Sequence, residues 1–194
     1  FYADLINKHK VMPTPVALSN LGMGIDEMFA GGRLAMFLSG IWETPSLRNH
    51  NFNWDVAMFP KSTSGIRRFG TGGSGYCILK TSKHPKEAWE VIKALTGTYG
   101  QSELARLGLA QPARISIAEG ETWAGDKRPP ENKRMLNEAV KYVVYEPFHA
   151  RWREIKAKVI TPELDLVLSG RQTAAQAAQK MAPEIDRMLA PHQD

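Results

Sequence analysis

The chain has 194 residues, 43% of them hydrophobic and 23% charged, with a formal net charge of +5 and a pI near 9.4. These are ordinary globular proportions, enough for one domain with a sizeable core or two small ones, and they exclude a chain disordered throughout. The basic excess does not mark a nucleic-acid surface. Lys127-Arg128, Lys133-Arg134 and the run from Arg151 to Lys158 each contain or lie near an acid, as solvated helix faces do.

The first residues, Tyr2, Leu5 and Ile6, have helical spacing but begin without a cap or a Met, as if a helix had been cut open. The expectation is a fragment of a longer protein. Proline punctuates the loop Met12 to Pro15, and Ile25, Met28 and Phe29 predict a short helix ended by Gly31-Gly32. Leu34 to Leu38 is a continuous apolar run bounded by glycines, which predicts a buried strand. Trp54, Val56 and Met58 alternate with Asp55 and Ala57 and predict a second strand, ended by Pro60. Tyr76 to Leu79, after the glycine-rich Gly70 to Gly75, predicts a third.

Downstream the period changes to helical. Pro85 suits a helix N1 position, Ala88, Val91, Ile92 and Leu95 continue the stripe, and Gly97 closes it. Leu104 and Leu107 predict a further turn before Gly108, and Ile115 to Pro130 has the composition of a loop. Trp152, Ile155 and Val159 form another stripe. Thr161-Pro162 is expected to restart the chain as N-cap and N1, and Thr173 to Gln176 matches a capping box. Ala174 to Met188 carries the last stripe, with a kink expected at Pro183. Short strands early and helices late predict an α+β fold.

Catalytic and metal signatures fail on inspection. Gly70 to Gly75 fits G-x-G-x-x-G, but that motif needs a helix N-terminus after it to face a pyrophosphate, and strand follows here. Among His9, His50, His84, His149 and His192 no pair has zinc-helix spacing, and Cys77 is the sole cysteine, expected as a small buried hydrophobe. Ser74 lies among glycines without a nucleophile elbow. No carboxylate pair stands out as a glycosidase couple, although sequence does not exclude one. No metal and no cofactor is expected.

Ligand chemistry is better represented. The chain has five tryptophans, each a flat apolar face with one N–H donor, which suits the C–H faces and hydroxyl rims of sugars. Trp42 follows Gly40 at the end of the first predicted strand and is either a core residue or a platform at a cleft edge. Trp54, Trp89 and Trp152 are expected in the core. Gly70, Gly72, Gly73 and Gly75 either let backbone N–H groups approach a ligand or form a hairpin or bulge.

Five blocks then occur in order. Phe29-Ala30-Gly31-Gly32-Arg33-Leu34-Ala35-Met36-Phe37-Leu38-Ser39-Gly40-Ile41-Trp42 resembles the F-x-x-G-x-A-A-M-x-x-x-G-x-W block of the family 1 bacterial extracellular solute-binding proteins of ABC transporters, the group that contains maltose-binding protein. Asn53 to Pro60, Gly72 to Ile78, Ser82 to Trp89 and Gln111 to Arg114 resemble its later blocks, with Gln111 a departure where an aliphatic residue is common. The resemblance implies a type II periplasmic-binding-protein-like fold. Residues 1–194 would be a single C-terminal lobe of a two-lobed clamp, with the N-terminal lobe absent. It implies that Trp42 stacks on a sugar ring, that Gly40, Gly72, Gly73 and Ser74 line the cleft, and that Arg114 donates paired hydrogen bonds to the ligand.

The implied function is capture of an extracytoplasmic mono- or oligosaccharide for delivery to ABC permease subunits, without catalysis. The parent would be an exported monomer, periplasmic or extracellular and membrane-attached as a lipoprotein. The Arg67-Arg68 pair with Arg114 leaves an anionic solute such as a sugar phosphate or glycerol phosphate as an alternative. A glycoside hydrolase is the alternative from another class.

Overall fold

Proline, capping residues and glycine mark the ends of several helices. The computed structural model describes residues 1–70 and 73–190. In chain order its helices are α1 Tyr2–Asn7, α2 Pro15–Asn20, α3 Ile25–Ala30, α4 Thr44–Leu47, α5 Pro85–Thr96, α6 Thr98–Leu107, α7 Ile115–Ala118, α8 Met135–Ala139, α9 Trp152–Ile155, α10 Thr161–Leu168 and α11 Ala174–Leu189. Two short strands, β1 Phe69–Gly70 and β2 Val143–Val144, pair in parallel with Phe69 opposite Val143. The chain divides into two compact units, Gly24–Glu146 and, separately, Phe1–Met23 with the chain from Pro147 onward.

The unit from Gly24 to Glu146 carries every predicted site residue. α3 ends at Gly31, and Gly32 takes φ +71°, a region where any Cβ would be strained. Its core is Ala105, Ile117, Ala118 and Trp123, with Ile41, Ala124 and Leu136 packed against them. Trp123, only 1% exposed, is the largest side chain of that cluster, although the sequence reading had not singled it out. Its Nε1–H has no hydrogen-bond partner among the described residues. The segment Ile115 to Pro130, expected as a loop, contains α7 and contributes three of the four core residues.

The three predicted strands are not ladder strands. Residues 34–38 run as irregular chain, pinned where Phe37 meets the Phe29 ring edge-on at 5.0 Å, while Met36 and Leu38 are exposed. Residues 54–58 keep the predicted alternation, since Trp54, Val56 and Met58 are half-buried and Asp55 and Ala57 exposed. Their partner is a side chain rather than a strand. Asn132 donates from its backbone N–H to Asp55 Oδ1 at 2.9 Å and from Nδ2 to the Val56 carbonyl at 3.0 Å. Residues 76–79 are also outside any ladder and mostly exposed, so Cys77 is an exposed thiol, not a buried hydrophobe. Period-2 patterning marks extended chain, but a ladder also needs a neighbouring strand with free N–H and C=O groups. The fold described here is therefore mostly helical with little strand.

α5 begins at Pro85 and ends at Gly97 as predicted. Its face is less buried than expected. Trp89 is 52% exposed and is not a core residue.

In the other unit, Ile155, Val159 and Met188 form the core, with Trp152, Ile160, Met181, Ile185 and Leu189 against them. α1 is tied to the end of α10 by Asn7 Nδ2, which donates to the Leu168 carbonyl at 3.2 Å. Thr161 does not restart the chain. It lies in right-handed helix (φ −58°, ψ −49°), and a π-helical turn, Lys156–Ile160, joins α9 to α10. Pro162 has no N–H to give to the carbonyl four residues back, and its ring crowds that carbonyl. A widened turn just before it relieves both problems.

Thr173 does act as a cap. Its Oγ1 accepts from Gln176 N at 3.2 Å, and Gln176 Oε1 accepts from Thr173 N at 2.9 Å. α11 then continues through Pro183. Thr173→Ala removes one half of this box and should cost about 1 kcal/mol. In a thermal melt it should lower Tm by roughly 2–4 °C, with no effect on ligand binding. A Tm within 1 °C of the parent would show that the box adds no net stability.

Candidate functional site

Trp42 lies in a single 3₁₀ turn, Ile41–Glu43, that runs directly into α4. The turn places its two apolar side chains in opposite settings. Ile41 packs onto the Ala105, Ile117, Ala118 and Trp123 cluster, whereas the Trp42 indole is 63% exposed. Of the two sequence readings, platform and core, this exposure removes the core.

Gly40 explains how the ring lies. A Cβ built there would fall 2.0–2.4 Å from Cζ3, Cη2 and Cε3 of Trp42, so the six-membered ring occupies the space any side chain at position 40 would need. Gly40 has φ −120°, which any residue adopts. Its glycine therefore serves the close approach of the ring, not an unusual backbone conformation. The ring edge is fixed by Glu43, whose Oε1 accepts from Trp42 Nε1 at 3.1 Å and from Ser39 Oγ at 2.7 Å. Glu43 was not recognised as a site residue from sequence. Its only local signal was its position next to Trp42.

Arg114 is the exposed N-cap of α7. Its backbone N–H donates to Gln101 Oε1 at 3.0 Å, and its carbonyl accepts from Ile117 and Ala118 at 3.0 Å each. These main-chain bonds hold the backbone, and no hydrogen bond or ion pair from a described residue engages its guanidinium. Because Ile41 and α7 share one apolar cluster, the turn that carries Trp42 and the helix that Arg114 caps rest on the same support. Gly73 and Ser74 are exposed and do not belong to that cluster, and Gly73 has open space around it. Gly72 lies outside the described residues.

Arg67, the alternative anion ligand, is engaged elsewhere. Its guanidinium carbon lies 5.5 Å from the centroid of the Tyr142 ring, a cation–π arrangement beside the β1–β2 pair.

Behind α4 lies a group of charges that sequence reasoning missed. Arg48, which follows α4, uses all three of its nitrogens. Nε donates to the Pro129 carbonyl at 2.7 Å, Nη1 reaches the Arg106 carbonyl at 3.5 Å, and Nη2 pairs with Asp126 Oδ2 at 3.1 Å. Asp126 also receives Arg128 Nε on Oδ1 at 3.0 Å and Lys133 Nζ on Oδ2 at 3.2 Å. Lys133 is 1% exposed and also donates to the Arg128 carbonyl at 2.8 Å.

Burial pushes the Asp126 carboxyl up. The hydrogen bonds from the Arg128 side chain and N–H and from Lys133 outweigh it and hold the carboxyl well below the usual carboxylate range. Burial also lowers Lys133, with Asp126 opposing it, and lowers Arg48, where the Arg128 charge adds to the effect. The group is structural. It locks α4 to the end of α6 and to the 126–133 segment, and so fixes the base of the Trp42 turn.

Among the described residues, no group of three or more His, Cys, Asp or Glu side chains is placed to hold a metal ion. Among them, too, no helix is long and apolar enough to cross a membrane. The other unit has a groove of about 320 Å³ lined by Arg151, Glu154, Lys158, Glu163, Lys180 and Glu184, among others. Its charges pair with one another, as Lys158 does with Glu154 at 2.8 Å and Lys180 with Glu163 at 3.6 Å.

The bacterial extracellular solute-binding protein profile matches residues 1–102, more than half of the chain, and the chain belongs to that family. Among solved structures it is similar to the ABC substrate-binding protein Lmo0181 from Listeria monocytogenes in complex with cycloalternan. The TM-score is 0.72 at 21% identity, over 96% of this chain and 47% of that one. The likeness establishes a shared fold, and this chain spans about half the length of that protein. No curated protein matches it.

Proposed function

We propose that the chain is the C-terminal lobe of a two-lobed solute-binding protein and supplies one wall of a cleft that captures a neutral sugar. The observation that carries this reading is the Trp42 indole, exposed, seated on Gly40 and held at its N–H by Glu43, in a chain of the solute-binding family. The oligosaccharide in the similar Listeria protein supports a sugar as the ligand class. Arg114, whose guanidinium no described residue engages, is the candidate donor to ligand hydroxyls, and Gly73 and Ser74 are candidate backbone contacts. Gly72 is carried over from the family resemblance alone. The parent would be exported and would hand its ligand to ABC permease subunits. Its work would be binding, with no reaction catalysed.

The anionic alternative is weakened at one member of its pair, because the Arg67 guanidinium lies over Tyr142 while Arg68 stays exposed. It also places an acid, Glu43, next to the platform.

The intact protein should be screened against a panel of neutral oligosaccharides that includes cycloalternan. A ligand that binds only the native state raises Tm, by an amount set by its concentration over Kd. Trp42→Ala should weaken binding about thirtyfold, the equivalent of ~2 kcal/mol for roughly 80 Å² of ring face lost from contact. If the whole panel leaves the melting curve unmoved, the sugar assignment fails. Hydrolysis of a bound oligosaccharide would instead favour the glycosidase reading.

A further inference from the structure

The hydrogen bond between Trp42 and Glu43 does more than satisfy an indole N–H. An exposed tryptophan side chain ordinarily samples several rotamers, and a stacking platform that must first be ordered loses affinity to that ordering. Here the ring is restrained on two sides. Gly40 leaves space for the six-membered ring on one side, and Glu43 Oε1 holds the N–H on the other. Glu43 is itself held, because Ser39 Oγ donates to the same oxygen at 2.7 Å and the side chain is half-buried.

That leaves Glu43 Oε2, which takes no hydrogen bond from any described residue. A carboxylate oxygen is a strong acceptor for O–H donors, and charge-assisted bonds of this kind are shorter and stronger than neutral ones. A polyol lying on the indole would bring hydroxyl donors beside it. A phosphate or carboxylate in the same place would meet like charge.

We infer that Glu43 is the positioning residue for the Trp42 platform and, through its second oxygen, an acceptor that favours neutral polyols over anionic ligands. The second half rests on the sugar-stacking function proposed above. The first half does not.

The test has two arms on the intact protein. In the first, the protein carries ¹⁵N-labelled tryptophan, Trp42→Phe assigns the Trp42 indole signal, and solvent exchange of that N–H is measured without ligand. E43Q retains a carbonyl acceptor and should match the parent. E43A should speed exchange on the order of tenfold, the loss of one modest hydrogen bond. The four other indole signals report that each variant is folded. If E43A exchanges like the parent, the positioning role is overturned.

The second arm compares affinity for the best neutral sugar of the panel and for a phosphorylated sugar of similar size. E43A should lose neutral-sugar affinity by about tenfold. E43Q should lose less and should narrow the preference for the neutral sugar. An unchanged preference in E43Q overturns the charge bias. A protein that binds no sugar overturns both the proposed function and that bias, while the exchange measurement still decides the positioning role by itself.

Discussion

Asp126→Asn should destabilise the protein by about 3 kcal/mol, towards the lower end of the range for breaking a buried ion pair. The loss arises because three cations converge on this one carboxylate, and two of them, Arg48 and Lys133, are largely buried. It stays near the lower end because each keeps other acceptors: the Pro129 and Arg106 carbonyls for Arg48, and the Arg128 carbonyl for Lys133. Chemical denaturation should show the loss as a lower midpoint with an unchanged slope.

The same group sets an acid limit. The folded Asp126 carboxyl titrates well below its unfolded value of about 4. Its stabilisation is therefore fully present above that value and drains away as pH falls from there toward the folded pKa. Tm measured from pH 7 down to pH 3 should fall for the parent and fall less steeply for Asp126→Asn. Parallel curves would show that other carboxylates set the acid limit.

Trp123→Ala is expected to cost more, about 3–5 kcal/mol, because it empties the centre of a small cluster. Ile41 packs against that cluster, so the turn carrying Trp42 loses part of its base. Ligand affinity should fall along with stability, even though Trp123 is too buried to touch a ligand. Trp123→Phe separates the two contributions to the site. It keeps most of the ring volume and also removes an indole N–H that has no partner among the described residues, which offsets part of the lost packing. The Phe variant should retain most of both stability and affinity. A large loss from Phe with little from Ala would contradict the packing account.

Some of this was legible in the sequence because the deciding interactions are local. Gly31-Gly32 after Phe29, Pro85 with Gly97, and the Thr173–Gln176 box each act within a few residues, and each does what its pattern predicts. Gly40 and Trp42 are also close in sequence, so the platform could be read as one of two possibilities.

What was missed depends on distant partners. Residues 54–58 alternate as a strand would, yet their hydrogen-bond partner is Asn132, 76 or 77 residues away. Arg48 and Asp126 are 78 residues apart, and nothing near either one signals the other. The π-turn before Pro162 went unread because a Thr-Pro pair is also a common way to start a helix.

The exposure of Cys77 has a practical consequence. It is the chain's sole cysteine and lies three residues after Ser74. A thiol-reactive dye would therefore attach to this chain at one known place, beside the glycine-rich block. With the cleft proposed above, an environment-sensitive fluorophore there would report occupancy optically, and ligands could be sorted by colour change before any of them is identified.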